Sequence, residues 1–581
     1  MASEIIAEKF DRINLTENSM IAKGINSSDG SEPKSIDHRH KPGQHRKSFQ
    51  RKPHQLIALR EKSLKWNTSI ESKDFARLMD EEDPFRSFRK MFSFPKKCDL
   101  PNVDRNLVKN CDEECIYLCG QSLGLKPKHL DQNVQKVLDN WAQKGVHSHF
   151  HGYLPAALSD LPGKKPMAKL VGAQEHEIAI LNGLTVNLHL LLATFYRPDS
   201  QRFKLIIEDH AFPSDTYVVK SQIQSHGLRP EDALIAWKPR KGEYLLNEDD
   251  IINIIEEQGD QIKVALFPAV QYYTGQLVDV RRLTEAAQKK GIIVGVDLAH
   301  AAGNVPIYLD EWNVDFAAWC TYKYMNSGAG CIGGIYINDR FLSQHSSTFP
   351  MYQGWWGNNV RTKFLMKEDF DPAIGADMFK LSNPPPVLNA MLMSSLEIFE
   401  KTSIEELRKK QVLLTGYLEI LIKHYFPSSD EVSRKNCERD RSLPTVTIIT
   451  PSDPNKRGAQ LSLIFSVPLS FIHEQFQKRG IVCDIRMPSV MRVAPTPLYN
   501  SFQDVHEFVT ILFDIFQNRE EFVDCSSDSE TSWIDETYEI ADGSQQQGQL
   551  LDEQNEQQRN LSQISSDLDS VDFIDTNSNT L

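Results

Sequence analysis

Two side chains of opposite charge stand close together in this sequence, each after an apolar run. Asp297 follows Ile292-Ile293-Val294-Gly295-Val296, and Lys323, flanked by Tyr322 and Tyr324, follows the run from Val314 to Trp319. Short runs that are apolar throughout read as strands buried on both faces of a sheet. The ends of such strands open into the crevice where α/β sheets bind ligands. Most lysines are solvated, but one delivered by a buried strand and followed by Ser327-Gly328-Ala329-Gly330 is placed for chemistry. An amine that bonds an aldehyde, beside an acid that keeps a pyridine nitrogen protonated, suits pyridoxal 5'-phosphate.

Other loops carry weaker signals of the same kind. Gly183-Leu184-Thr185-Val186-Asn187 follows the run Ile178 to Leu181 and opens an apolar helical stretch. A loop entering a helix N-terminus offers free N–H groups to a phosphate, and Thr185 adds a hydroxyl, although Thr is also an ordinary helix cap. Phe212, in the loop Glu208 to Asp215 after Leu205-Ile206-Ile207, can stack on a planar ring; alone it reads equally well as core. The turn Gln271-Tyr272-Tyr273-Thr274-Gly275 follows Val264 to Phe267 and offers a phenol that can pass a proton or meet an oxyanion. Gly120-Gln121-Ser122-Leu123-Gly124 is a glycine-framed loop able to approach a substrate, or a plain turn.

The elements that must position these residues alternate between two periods. Apolar runs at 205–207, 264–267, 292–296 and 316–319 are separated by stretches of helical length such as Asp279 to Lys290. That alternation predicts a mostly parallel sheet covered by helices. Past about residue 395, Leu414, Leu418, Leu421, Ile422 and Tyr425 mark an amphipathic helix. Strand-like segments Thr445 to Thr450 and Gln460 to Val467 follow, then a helix after Ser501. The expected organisation is α/β: a helical segment over 66–110, a large domain over 111–394 and a smaller α+β domain over 395–522.

The ends differ in composition. Residues 1–65 are polar, with a basic, histidine-rich cluster from His38 to His54, and residues 523–581 are rich in Ser, Asp and Gln. Both read as disordered. From Glu521 onward 15 acidic residues face one basic residue, Arg559, while the rest of the chain balances at 64 against 64. The net charge of -14 therefore resides in the tail, and the neutral body gives no electrostatic sign of nucleic-acid binding. The basic head can serve as a nuclear-targeting or RNA-binding arm, or as a solvated tail. No run of 18 apolar residues is present, so no membrane partner is expected, and the start lacks a secretory stretch. Nine cysteines without paired knuckles read as reduced thiols of an intracellular protein; evenly spaced Cys111, Cys115 and Cys119 lack further ligands for a metal.

The motifs together are more specific than any one alone. Asp297-Leu298-Ala299-His300, Thr321 to Gly330, Leu381-Ser382-Asn383-Pro384-Pro385, Gly183 to His189, Ala211 to Asp215 and Arg492-Val493-Ala494-Pro495 resemble kynureninase, in one order from about residue 77 to 520. The resemblance implies a pyridoxal-phosphate hydrolase of aminotransferase-like type I fold. It would be a cytoplasmic homodimer cleaving L-kynurenine or 3-hydroxy-L-kynurenine to an anthranilate and L-alanine, in tryptophan catabolism and de novo NAD biosynthesis. It implies that Lys323 is catalytic, and the chemistry makes Tyr273 the candidate to assist at the γ-carbonyl oxygen or the later protonation. Leu184, Thr185, Phe212, Pro213, Ser214, Asp215, Pro268, Asp297, His300, Tyr322, Lys323, Trp355 and Asn383 would meet the cofactor. Ser122, His149, Asn383 and Arg492 would meet substrate, Arg492 at its carboxylate, with the site completed across the dimer.

Three features depart from the family pattern: Pro268 in place of a serine, Gln121 in place of an asparagine, and residues 150–161, with Ala156 where an aromatic is common. They bear on substrate preference and rate and leave Lys323 and Asp297 untouched. The alternatives are a related aminotransferase or cysteine desulfurase, or a degenerate cofactor-binding scaffold whose tails recruit partners.

Overall fold

The apolar runs form the centre of a seven-stranded sheet. Its order is Ile178–Leu181, Gly333–Ile337, Phe316–Trp319, Ile293–Asp297, Ile262–Pro268, Lys204–Glu208 and Leu234–Trp237. All neighbours pair in parallel except Gly333–Ile337, which runs against both of its partners. A computed structural model of the chain describes residues 55–342, 350–427 and 444–517. Of the tails expected at 1–65 and 523–581, residues 1–54 and all of the second lie outside the described residues.

Side chains alternate across this sheet, and both sets are buried. Ile206, Ala265, Phe267, Val294, Val296 and Trp319 join one apolar cluster, with helices Leu161–Val171, Glu248–Gln258 and Val280–Lys289 above them. Leu205, Ile207, Val264, Leu266, Phe316 and Ala318 join another, beneath helices Leu184–Phe195 and Pro213–Ser225. Burial on both faces is why these strands read as continuous apolar runs. Gly295 is forced by packing: a Cβ there would meet the Phe316 ring at 2.2 Å.

The helices start where their caps lie. Asp279 accepts a hydrogen bond from the N–H of Arg282 at 3.0 Å and opens Val280–Lys289. Ser403 accepts one from Glu406 at 3.3 Å and opens Ile404–Tyr425. Each such cap contributes about 1 kcal/mol.

A second sheet, antiparallel and four-stranded, has the order Val446–Ile448, Leu461–Phe465, Val490–Val493 and Asp484–Arg486. It belongs to the smaller C-terminal α+β part. The expected start of that part at residue 395 falls inside the helix Pro386–Phe399. The N-terminal segment packs there too. Helices Gln55–Trp66 and Lys73–Glu81 lie against Ile404–Tyr425 and Phe502–Gln517. The carboxylate of Asp80 accepts from the N–H groups of Phe502 and Gln503 at 2.7 and 3.1 Å, capping that last helix from another segment. The first of these helices begins at Gln55, inside the stretch expected to be disordered, because Leu59 finds a fully buried place.

One expectation about the cysteines is corrected. Cys98 and Cys111 form a disulfide with their Cα atoms 5.0 Å apart, because the segments on either side are held together. The N–H of Lys97 donates to Glu113 O at 2.9 Å, and that of Cys98 to Cys111 O at 3.2 Å. Cys115 and Cys119 are free and buried, and burial pushes both thiols up to about 12. No helix among the described residues is long and apolar enough to cross a membrane.

Candidate active site

The carboxyl ends of the parallel strands open on one cavity of about 350 Å³. It is lined by Leu184, Thr185, Phe212, Ser214, Asp215, Pro268, Asp297, His300, Tyr322 and Lys323, ten of the residues expected from sequence. Chain segments about 140 residues apart thus meet, because every strand delivers its following loop to the same edge. Three non-glycine residues in these loops, Asn182, His210 and Asn326, adopt left-handed backbone with φ of 43°, 50° and 58°. Such conformations persist where surrounding structure fixes them, often beside ligands.

One end of the cavity is built from helix N-termini. Leu184–Phe195 starts after Gly183 with no side-chain cap, and Pro213–Ser225 starts after Phe212 in the same way. Their first turns meet: Thr185 Oγ1 and Ser214 Oγ are 2.6 Å apart. Uncapped N–H groups, two hydroxyls and two helix dipoles suit a phosphate. A Cβ on Gly183 would meet nothing within 4 Å, so the approach is open.

The other end gathers charge. Burial pushes the Asp297 carboxyl up, while Lys323 and the Ala299 N–H, which donates to Oδ1 at 2.8 Å, oppose the shift. Burial and the charge of Asp297 push Asp215 well up, with Lys323 again opposing. Burial, then Asp215 and Asp297, do the same to Glu208. Burial, then the charges of Lys323, Arg492 and Arg486, push His300 well down, so its ring is neutral at pH 7. Lys323 Nζ lies 5.8 Å from the centroid of the Phe212 ring and 5.9 Å from that of Tyr322. Phe212 is 41% exposed, its ring free to take a planar partner.

Three buried polar atoms here have no partner within the protein: Glu208 Oε2, Asp215 Oδ1 and His300 Nδ1. Each such atom costs about 1–3 kcal/mol unless a ligand satisfies it. The cavity therefore fits a flat, polar, anionic cofactor.

The remaining expected residues lie elsewhere, Arg492 among them: its side chain is 1% exposed and does not line the cavity. Pro213 forms the first turn of its helix without lining the cavity. Tyr273 is absent from the lining: its hydroxyl is hydrogen-bonded to Ser489, and burial pushes it up to about 12. Its neighbour Tyr272 lines the cavity instead, 5.5 Å from Phe212 between ring centroids. The Gln271 side chain accepts from the N–H groups of both Tyr273 and Thr274 and sets this turn.

Trp355, Asn383 and His149 gather around a separate cluster. Phe364 packs on both Phe150 and Trp355, His149 lies beside Phe150, and the Asn383 amide, oriented to satisfy its neighbours, donates to Ala156 O at 2.9 Å. Trp355 is 47% exposed and lines a second cavity. Ser122 is half-buried, in a loop drawn onto the lysine segment by Gly124, whose N–H donates to Tyr322 O at 2.9 Å. A Cβ on Gly124 would meet Lys323 O at 2.3 Å, so only glycine permits this approach.

Sequence reasoning missed Glu208 and Tyr272 as cavity residues. Glu208 left a signal: it ends its strand in an acid, as Asp297 does.

Comparison with known proteins agrees with this geometry. The aminotransferase class-V family matches residues 116–452, and the kynureninase C-terminal domain matches residues 407–512. Kynureninase from Nematostella vectensis is 46% identical over 79% of this chain and 97% of its own length. The chain belongs to the kynureninase family. Human kynureninase is likewise 46% identical, over 76% of this chain and 92% of its own. Dependence on pyridoxal phosphate comes with the kynureninase family. Among solved structures, a C-DES mutant with glycine covalently linked to the PLP cofactor has a TM-score of 0.56 at 16% identity, covering 71% of this chain and 99% of its own. A cysteine desulfurase from Thermococcus onnurineus has a TM-score of 0.54 at 17% identity, covering 74% and 100%. These two share the aminotransferase-like type I fold.

Proposed function

We propose that this chain hydrolyses L-kynurenine, 3-hydroxy-L-kynurenine or both to the corresponding anthranilate and L-alanine. The reaction would serve tryptophan catabolism and de novo NAD biosynthesis in the cytoplasm. One observation carries the reading: in a chain of the kynureninase family, Lys323, Asp297 and two uncapped helix N-termini share a single cavity.

Pyridoxal phosphate, bonded through Lys323 Nζ, supplies an electron sink for bond cleavage in an α-amino acid. Thr185, Ser214 and the N–H groups around them would hold its phosphate. Phe212 would hold its ring, and the Asp297 carboxylate would keep a proton on its nitrogen. Neutral His300 and the high carboxyls of Glu208 and Asp215 limit negative charge around Asp297. The Lys323 amine would be the base that takes the proton from the substrate α-carbon. Arg492 grips the substrate carboxylate with parallel hydrogen bonds. Water adds at the γ-carbonyl. The phenol that assists there comes from the turn 272–273, and its pKa far above neutrality keeps the proton available for donation.

The chain acts as a homodimer, in which Trp355, Asn383 and His149 of one protomer complete the cavity of its partner. The exposure of Trp355 and His149, away from the cavity in their own chain, supports this. Among the described residues the free cysteines are all buried with raised thiols, which offers no support for a desulfurase nucleophile.

The test is anthranilate fluorescence and L-alanine release with each kynurenine, run side by side. Holoenzyme with visible cofactor absorbance and no product from either would overturn the reading. For the dimer, mixing Lys323→Ala chains with Asn383→Ala chains restores activity if the sites are shared.

A further inference from the structure

The Arg492 side chain is held by a carboxylate that no motif pointed to. Strands Asp484–Arg486 and Val490–Val493 pair antiparallel with Asp484 directly opposite Arg492. Asp484 and Arg486, two apart, share a face with Arg492. The Asp484 carboxylate accepts from Arg492 Nε at 3.1 Å and lies 2.8 Å from Arg492 Nη2, a two-point clamp on one edge of the guanidinium. Nη1 donates to Tyr272 O at 2.9 Å, tying the group to the turn that lines the cavity. Arg486 Nη1 lies 3.0 Å from Asp484 Oδ1, so one carboxylate stands between two arginines. Arg492 is 1% exposed as a side chain and Asp484 10%. The Arg492 backbone is fixed as well, since Gln121 Nε2 donates to its carbonyl at 3.3 Å.

A guanidinium has five N–H groups. Asp484 and Tyr272 take three of them, leaving one on Nη1 and one on Nη2. The guanidinium thus keeps two N–H groups with which to bind a carboxylate. The trio of Asp484, Arg486 and Arg492 keeps one net positive charge, enough to attract a carboxylate without burying two unpaired cations.

We propose that Asp484 is the positioning residue of the substrate-carboxylate subsite: it locks the Arg492 guanidinium by one edge so that two N–H groups stay free for an α-amino acid carboxylate. The assignment rests on the kynurenine reading for the substrate and reaches beyond it to how the anion is recognised. Opposed to orientation is simple charge, because removing Asp484 strengthens the local positive field. Orientation prevails here, since Arg492 without its clamp turns toward the backbone carbonyls around it and is repelled by Arg486.

The test uses full-length holoenzyme carrying Asp484→Asn, with Asp484→Glu as the conservative variant. For Asp484→Asn, KM for L-kynurenine rises roughly tenfold while kcat stays within about threefold, the pattern of lost ground-state binding. The second readout is the shift in visible cofactor absorbance on titrating L-kynurenine against its carboxamide. Wild type favours the carboxylate; Asp484→Asn loses roughly tenfold of that preference, and Asp484→Glu regains part of it. Unchanged preference, or tighter carboxylate binding, overturns the proposal. A variant that does not fold is replaced by Arg486→Gln, which relieves Asp484 of its second partner and must leave the carboxylate preference above that of Arg492→Gln. Titration reads binding without turnover, so wild type that prefers the carboxylate yet forms no anthranilate refutes the hydrolase reading and spares this one.

Discussion

The surroundings of Asp297 and of Arg492 follow opposite electrostatic plans. Around Asp297 the chain buries Glu208, Asp215 and His300, each with one polar atom left without a protein partner. Around Arg492 the chain supplies partners in advance, with Asp484 on one edge and the Tyr272 carbonyl beyond it. Unpaired buried atoms are tolerable where a resident ligand satisfies them continuously. A substrate that arrives and leaves in every cycle needs a cation already desolvated, paired and oriented in its absence. On the proposed reading, the two regions differ in how long their ligands would stay.

That contrast can be broken in order of effect. Lys323→Ala removes the amine of the first region, and turnover falls by roughly a thousandfold or more with loss of the visible absorbance of the bound enzyme. Asp297→Asn leaves the cavity filled but weakens protonation of the ring; anthranilate formation falls about a hundredfold, with cofactor still retained by gel filtration. Arg492→Lys belongs to the other region. A point charge cannot reproduce the two-edged fork, so KM rises roughly tenfold or more while kcat changes less. A collapse of kcat with KM unchanged would show that the arginine works at the reacting carbon instead.

The smallest effect separates the adjacent phenols. Tyr272→Phe lowers turnover more than Tyr273→Phe if the cavity-facing hydroxyl is the one used, and the reverse ranking would place Tyr273 at the substrate. The folded pKa of Tyr273, about 12, lies above its ordinary value near 10. Its protonated form is full below pH 10, and the stability it adds is lost between about pH 10 and 12 as the unfolded chain releases the proton first. Tyr273→Phe therefore leaves the pH–rate profile between pH 6 and 9 unchanged in shape, and it flattens the alkaline fall in stability above pH 10.

Much of this site is legible in sequence. The strand Phe316–Trp319 matches its apolar run, Ile293–Asp297 is offset by one residue, and the helix Val280–Lys289 lies between the expected limits Asp279 and Lys290. Ten expected cofactor residues share the cavity because each ends or follows a strand whose direction the apolar runs imply. Tyr272 and Tyr273 were harder, since one residue of turn geometry, fixed by the Gln271 side chain, decides which phenol faces in. Trp355, Asn383 and His149 left no local sign that they lie outside this cavity.

The sequence by itself determined the buried parallel strands, the acid and the amine at their ends and the polar tails, because continuous hydrophobicity and terminal position are local properties. Only the tertiary structure decided which charges meet. Glu208 and Asp215 lie on either side of one loop and meet Asp297 from another strand, and Asp484 clamps Arg492 through strand register; such pairings depend on three-dimensional distance, which no single segment encodes.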